Sequence, residues 1–442
     1  MTMQVDLILT GGTVLTVDAA STVIQNGAVA VRDDTIQDVG TVEEILSRFR
    51  AADVIDSPGC TIMPGWVNTH THLAMNVFRG LADDVTLEEF LDRLVRAELR
   101  VLNEKMVTIG ARAGMAECIA GGTTTALDMY WFPQAARQAA REIGFRLLNG
   151  PTFMGDADPE GRDFEGMLER AEAILLENRG EAADEDLWVM PHSAYTLGRD
   201  QLARIQALAA RFGARINTHA SESSGELALV NQLHNDRPVA VLAEAGLVGP
   251  RTVLAHAVHL TDAEITAIAH AGSTVAHCPV SNLKLGCGIA RVPELLREGA
   301  VVALGTDGAA SAGTLDMFLA ARMAALLHKG FAEDPTLISA ERAVRLGTVD
   351  GARGLGLQNV GTVEPGMAAD LQVVRTSTLG AAPTNDPWSA IVYGSGASDV
   401  QHTVVNGRVV MKDRVLRTID EGRTLDDLVA VAADALAAVG EQ

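Results

Sequence analysis

Near the N-terminus, apolar β-branched positions alternate with polar ones and are interrupted by Gly and Asp, in residues 5–9, 13–17, 27–31, 35–39 and 53–56. Alternation of period two predicts short strands with one buried face. The same texture returns after residue 362, in 369–375, 400–406 and 408–411. The two chain ends are therefore expected to pair into one small β-sandwich domain, 1–60 with 363–442. An Ala-rich amphipathic stretch, 425–438, is expected to form a helix on its outside.

Between the ends the pattern changes. Near-continuous apolar runs, each ending in polar or Gly residues, occupy 61–73, 123–130, 145–153, 187–195, 214–221, 252–260, 273–279 and 301–307. Stretches of helical period separate several of them, at 135–143, 165–176, 199–212, 262–270 and 293–298. Continuous apolar runs suit parallel strands, which are buried on both faces. Eight of them alternating with helices predict an α/β fold, a parallel (β/α)8 TIM barrel over residues 61–362.

Composition narrows the function classes. A chain of 442 residues with 48% hydrophobic positions can bury a large core. Its formal net charge of −22 argues against nucleic acid and anionic membrane as partners, because both attract basic surfaces. Cys60, Cys118, Cys278 and Cys287 lack paired spacing, so they are expected to be apolar packers and not a disulfide framework. With no signal-type N-terminus and no apolar run long enough to cross a bilayer, a cytoplasmic enzyme acting on a small molecule, as a homo-oligomer, is expected.

The histidines are placed unevenly. His70 and His72 in Asn68-Thr69-His70-Thr71-His72 are two apart on an extended strand, so both imidazoles face one point. His192 ends the fourth expected strand, His219 the fifth and His256 the sixth, while Asp307 ends the eighth. Active sites of such barrels form at the C-terminal strand ends. Three imidazoles and a carboxylate (His70, His72, His219, Asp307) suit one divalent metal, Zn²⁺ or else Fe²⁺. Such an ion lowers the pKa of water from 15.7 toward about 7. Glu222, three residues after His219, is placed to transfer protons, and His256 to orient or deprotonate the water. These groups together point to hydrolysis at an electrophilic carbon. His192 is assigned to substrate contact, with a buried core histidine as the alternative. His277 at the seventh strand end is a weaker candidate for the cavity wall. His234, His259, His270, His328 and His402 are assigned to packing or surface.

Pro64-Gly65-Trp66-Val67-Asn68-Thr69-His70-Thr71-His72 resembles the first-strand signature of the amidohydrolase superfamily. Gly361-Thr362-Val363-Glu364-Pro365-Gly366-Met367-Ala368-Ala369-Asp370 resembles its return into the small β-domain. More narrowly, the chain resembles the branch of 5-methylthioadenosine/S-adenosylhomocysteine deaminases. That resemblance is carried by Phe78-Arg79-Gly80-Leu81-Ala82-Asp83-Asp84, Asp128-Met129-Tyr130, Pro191-His192-Ser193-Ala194-Tyr195-Thr196, Ser281-Asn282-Leu283-Lys284-Leu285-Gly286 and Gly305-Thr306-Asp307-Gly308-Ala309-Ala310-Ser311. It implies zinc on His70, His72, His219 and Asp307, protonation of the purine ring by Glu222, and substrate contact by His192. It also implies a ribose-holding helix glutamate at Glu98, although the chain is one residue shorter just before it. Arg162 matches one of an arginine pair that in some members binds an amino-acid tail, and Gly150-Pro151 occupies the region of the other. The expected reaction is hydrolytic deamination of an adenosine-type nucleoside. Hydrolysis of another N-heteroaromatic ring (s-triazine, guanine, cytosine or pterin) is the alternative, and a catalytically dead barrel the remote one.

Overall fold

The computed structural model describes residues 2–180 and 187–440. Eight barrel strands run in chain order: β1 (Trp66–Thr71), β2 (Thr123–Asp128), β3 (Arg146–Asn149 continued by Thr152–Phe153), β4 (Trp188–Pro191), β5 (Arg215–Ala220), β6 (Thr252–His256), β7 (Thr274–His277) and β8 (Val301–Leu304). Each pairs with the next in parallel. The circle closes where Asp307 N donates to His70 O at 3.0 Å and Thr69 Oγ1 donates to Leu304 O at 2.8 Å. Nearly every strand residue is buried, as strands covered on both faces must be.

Two of the expected runs are divided, for steric reasons. Residues 61–73 split at Gly65 into Cys60–Pro64 and β1. A Cβ on Gly65 would lie 2.2 Å from Thr124 Cγ2, so only glycine fits this crossing. Strand β3 breaks at Gly150-Pro151. There a Cβ on Gly150 would meet Trp188 O at 2.0 Å, and Pro151 has no N–H to add to a ladder. The carbonyl of Pro151 still pairs with β4, accepting from Met190 N at 2.9 Å.

The chain ends build one nine-stranded sheet. Its strands come from Met3–Leu15, Val23–Arg32, Thr35–Thr41, Phe49–Asp56 and Cys60–Pro64 on one side, and from Leu371–Arg375, Val400–Val405, Arg408–Lys412 and Val415–Leu416 on the other. Cys60–Pro64 joins the two sets, parallel to Met3–Leu15 and antiparallel to Leu371–Arg375. Leu7, Val29, Ile62, Val373 and Val404 share one buried cluster between them. The C-terminal helix, Glu421–Gly440, packs on the outside of the barrel against the helices Leu87–Val101 and Glu104–Ala120. Helices that the periodic pattern did not single out include Glu104–Ala120 and Met317–Ala332, whose Ala and Gly content blurs their apolar stripes. No helix among the described residues is long and apolar enough to cross a membrane.

Candidate active site

The C-terminal ends of the barrel strands bring six of the predicted residues together. His70 and His72 project from the end of β1, as expected from their spacing, and lie with ring centroids 4.8 Å apart. The ring nitrogens of His70, His72 and His219 all fall within 4.8 Å of one another, and the ligand atoms of His70, His256 and Asp307 do so as well. His72 Nε2 stands 3.2 Å from Asp307 Oδ1 and 3.4 Å from His219 Nε2.

Partners behind the rings set which nitrogen faces the centre. His72 Nδ1–H donates to Met129 O at 2.5 Å and His219 Nδ1–H to His192 O at 2.9 Å. Each turns its Nε2 toward the centre, and at His72 the effect of burial is overridden by the Asp307 carboxylate, which raises the ring to about 9. Burial, reinforced by neighbouring imidazoles, holds His70 and His219 well below the ordinary imidazole range. They are therefore neutral, the form in which an imidazole can bind a metal. Burial pushes the Asp307 carboxyl upward, but the imidazoles around it, His72 first, reverse this and hold it well below the usual range. Its Oδ2 accepts from Ser281 Oγ at 2.6 Å and its Oδ1 from Gly308 N at 2.7 Å. The test of fit for a cation is His70 Nε2, which is fully buried and has no hydrogen-bond partner. An orphaned nitrogen inside a ring of inward-facing donors costs stability unless a cation satisfies it.

The backbone is strained where these side chains leave the strands. Ser221, His256 and Asp307, none of them glycine, sit at φ 54°, 71° and 64°. Such outliers persist only where the surroundings over-determine them. The turns after β5 and β6 interlock, with Ala257 N donating to Ala220 O at 3.0 Å and His259 N to Ser221 O at 2.9 Å.

The acid–base candidates lie beside the imidazoles. Glu222 Oε1 is 3.7 Å from His256 Nε2 and 3.8 Å from Cys287 Sγ. Burial pushes the Glu222 carboxyl up, so it holds a proton more readily than an exposed glutamate. His256 Nδ1–H donates to Asn282 Oδ1 at 2.8 Å, leaving Nε2 free toward Glu222.

A cavity opens over these groups. His192 lines it, its Nδ1 within 3.0 Å of Ser193 Oγ and its ring 4.5 Å from that of His219. Glu98 reaches it as well. The helix Leu87–Val101 places Leu87, Phe90, Leu94 and Glu98 in the cavity wall. Glu98 is buried, and Tyr130 Oη donates to its Oε1 at 2.5 Å.

Two predicted residues lie elsewhere. His277 does not line the cavity, because its ring packs against His328 with centroids 5.4 Å apart. Arg162 belongs to a neighbouring cavity that shares only Trp131 and Thr152 with the first. Its guanidinium is held by Asp158 Oδ2 at 2.8 Å and Glu160 Oε2 at 2.5 Å. The sequence pointed to no role for Tyr130 Oη, Ser281, Asn282 or Glu226, and Cys287 was expected to be an apolar packer. Tyr130, Ser281 and Asn282 stood in motifs that carry the family resemblance, which was their only signal.

Residues 61–410 match the Amidohydrolase family. The chain belongs to the amidohydrolase family. This amidohydrolase is 39% identical over 430 residues to a 5-methylthioadenosine/S-adenosylhomocysteine deaminase of Syntrophobacter fumaroxidans, covering 97% of this chain and 98% of the relative. It is 38% identical over 432 residues to a 5′-deoxyadenosine deaminase of Methanothermobacter thermautotrophicus, covering 97% and 98%. Among solved structures it is similar to an adenosine deaminase from Xanthomonas campestris with bound zinc, at 31% identity and a TM-score of 0.95, covering 99% and 100%. A triazine hydrolase of Arthrobacter aurescens shares the fold at 23% identity and a TM-score of 0.88, covering 96% and 99%.

Proposed function

We propose that this amidohydrolase hydrolyses the 6-amino group of an adenosine-type nucleoside, releasing ammonia and the inosine-type product. One observation carries the reading. A single cavity is lined by His72, His219 and Asp307 of the imidazole–carboxylate cluster, by the Glu222–His256 pair and by the buried Glu98–Tyr130 pair. A purine over the first two would set its ribose against the third. The names of the relatives supply the same chemistry.

The residues divide the work as follows. His70, His72, His219 and Asp307 would hold one divalent ion, zinc by analogy with the Xanthomonas structure. When bound, the ion lowers the pKa of water and so supplies a nucleophile at neutral pH. Glu222 gives its proton to purine N1 as water adds to C6, making the ring the electrophile. His256, oriented by Asn282, takes a proton from the attacking water. His256 then passes its proton to the amine, the C6 hydroxyl gives its proton to the Glu222 carboxylate, and the C6–N bond breaks to release ammonia and leave the C6 carbonyl. His192 contacts the purine, and Glu98 accepts hydrogen bonds from the ribose hydroxyls. The cytoplasm suits an enzyme whose four cysteines are all free and buried.

Ammonia release from adenosine, 5′-deoxyadenosine, 5-methylthioadenosine, S-adenosylhomocysteine, adenine, guanine, cytosine, a pterin and an amino-s-triazine tests the reading. Turnover of the first four and not of the rest is the expected result. Turnover confined to triazine, pterin or free base would overturn it in favour of the other heteroaromatic ring.

A further inference from the structure

The turn that carries Glu222 is held by a second carboxylate, to which the deamination chemistry gives no task. Strand β5 ends at Ala220, and Ser221 enters the left-handed region at φ 54°. The N–H groups of Ser221 and Glu222 therefore leave the strand ladder while still buried. Both are taken up by one side chain. Ser221 N donates to Glu226 Oε1 at 3.0 Å, and Glu222 N donates to Glu226 Oε2 at 2.5 Å. Glu226 is 2% exposed and stands in the first turn of the helix Ser224–His234. Its own N–H donates to Ser223 Oγ at 2.9 Å, which seats that turn. Glu226 does not line the cavity, so any effect it has on the reaction must pass through the backbone it holds.

A buried carboxylate is costly unless its oxygens are matched by donors, and here the donors are the backbone of the proton-transferring residue itself. An amide could accept one of these N–H groups but would turn its own NH₂ toward the other. An apolar side chain would leave both without partners. We propose that Glu226 is a positioning residue, clamping Ser221 and Glu222 so that the Glu222 carboxylate is aimed into the cavity beside His256. The inference rests on the proton-transfer reading of Glu222.

The experiment is a double-mutant cycle in the metal-loaded enzyme, comparing wild type, Glu226→Gln, Glu222→Gln and the double variant with adenosine as substrate. Glu226→Gln should lower kcat by about 10- to 100-fold, the scale of a misplacement near 1 Å. KM should stay within about threefold and metal content should be unchanged. In the Glu222→Gln background the same substitution should cost less than about twofold, because nothing remains to be aimed. Equal losses in both backgrounds would overturn the proposal, since a merely structural carboxylate damages every version of the site alike. Normal kcat in Glu226→Gln would overturn it too. Ser223→Ala, which loosens the turn while keeping the carboxylate, should give a smaller loss with the same failure to add, and it serves if Glu226→Gln does not fold. Additive losses for Ser223→Ala count against the proposal equally. Near-normal turnover in Glu222→Gln alone would defeat the proton-transfer reading and this inference with it. A large Glu222→Gln loss with an additive cycle would defeat the inference alone.

Discussion

Replacing Glu98 by alanine should erase a preference for the ribose while leaving the metal site loaded. Tyr130 Oη donates to Glu98 Oε1 at 2.5 Å and the Trp131 indole N–H is directed at the same carboxylate, so two of its lone pairs remain for substrate hydroxyls. A hydrogen bond to a charged group contributes about 1.5–3 kcal/mol. Two of them make about 3–6 kcal/mol, or roughly 10²- to 10⁴-fold in kcat/KM at 1.36 kcal/mol per decade. The assay compares kcat/KM for adenosine, 2′,3′-dideoxyadenosine and adenine in wild type and Glu98→Ala. Wild type should favour adenosine by about that margin, and the variant should compress it. Burial, against the pull of the Tyr130 hydroxyl, holds the Glu98 carboxyl up at about 7 from an ordinary 4.5. The folded protein thus keeps a proton that the unfolded chain releases. The stability this gives is complete below pH 4.5 and is lost as the pH rises through about 7. The ionised carboxylate, the better acceptor, forms over the same interval, so adenosine kcat/KM should rise through pH 7. Tyr130→Phe removes a donor that favours the ionised form and should move that rise upward by about one unit. Equal kcat/KM for adenine and adenosine in the wild type would refute the reasoning, and an unmoved profile in Tyr130→Phe would refute the pairing.

The purified protein should carry about one divalent ion per chain, and His70→Ala and Asp307→Ala should each lose both ion and turnover. Elemental analysis that finds two tightly held ions, or full occupancy in both variants, rules out the mononuclear site. Gly150→Ala should destabilise the fold by about 3 kcal/mol, the upper end of overpacking costs, because its Cβ would meet the unyielding carbonyl of Trp188 at 2.0 Å. Gly249→Ala, with no atom within 4 Å of its added carbon, is the control. Equal melting temperatures for the two variants would show that β3 and β4 can part at no cost.

Most of the barrel could be read from the chain because burial on both faces writes a parallel strand as an unbroken apolar run. The same rule explains where the reading failed. Residues 61–73 looked like one strand, since Cys60–Pro64 and β1 are equally buried; the division lies in the missing Cβ of Gly65. The break in β3 has the same origin. Alternation revealed the strands of the terminal sheet, but nothing in that pattern says that Cys60–Pro64 would join its two halves. That pairing is a contact across about 310 residues of chain, Leu371 with Pro64 and Val373 with Ile62.

The site divides along a similar line. Residues at strand ends were legible, because imidazoles and carboxylates closing apolar runs have no packing reason to be there; His70, His72, His219, His256 and Asp307 all converge. His277 met the same description and yet packs against His328, so a strand-end position by itself does not say which face of the barrel a side chain takes. Glu98 and Glu226 carry a different signal. In the helix Leu87–Val101, the ion pairs Glu89–Arg93 and Asp92–Arg96 mark the solvated face. Leu87, Phe90 and Leu94 mark the buried one, and the spacing 87, 90, 94, 98 puts Glu98 in line with them. Glu226 shares the buried face of its helix with Val230 in the same way. A carboxylate in register with an apolar stripe is costly unless something on the far side satisfies it. Behind Glu98 that is the Tyr130 hydroxyl, and behind Glu226 it is the backbone of the residue proposed to move the proton.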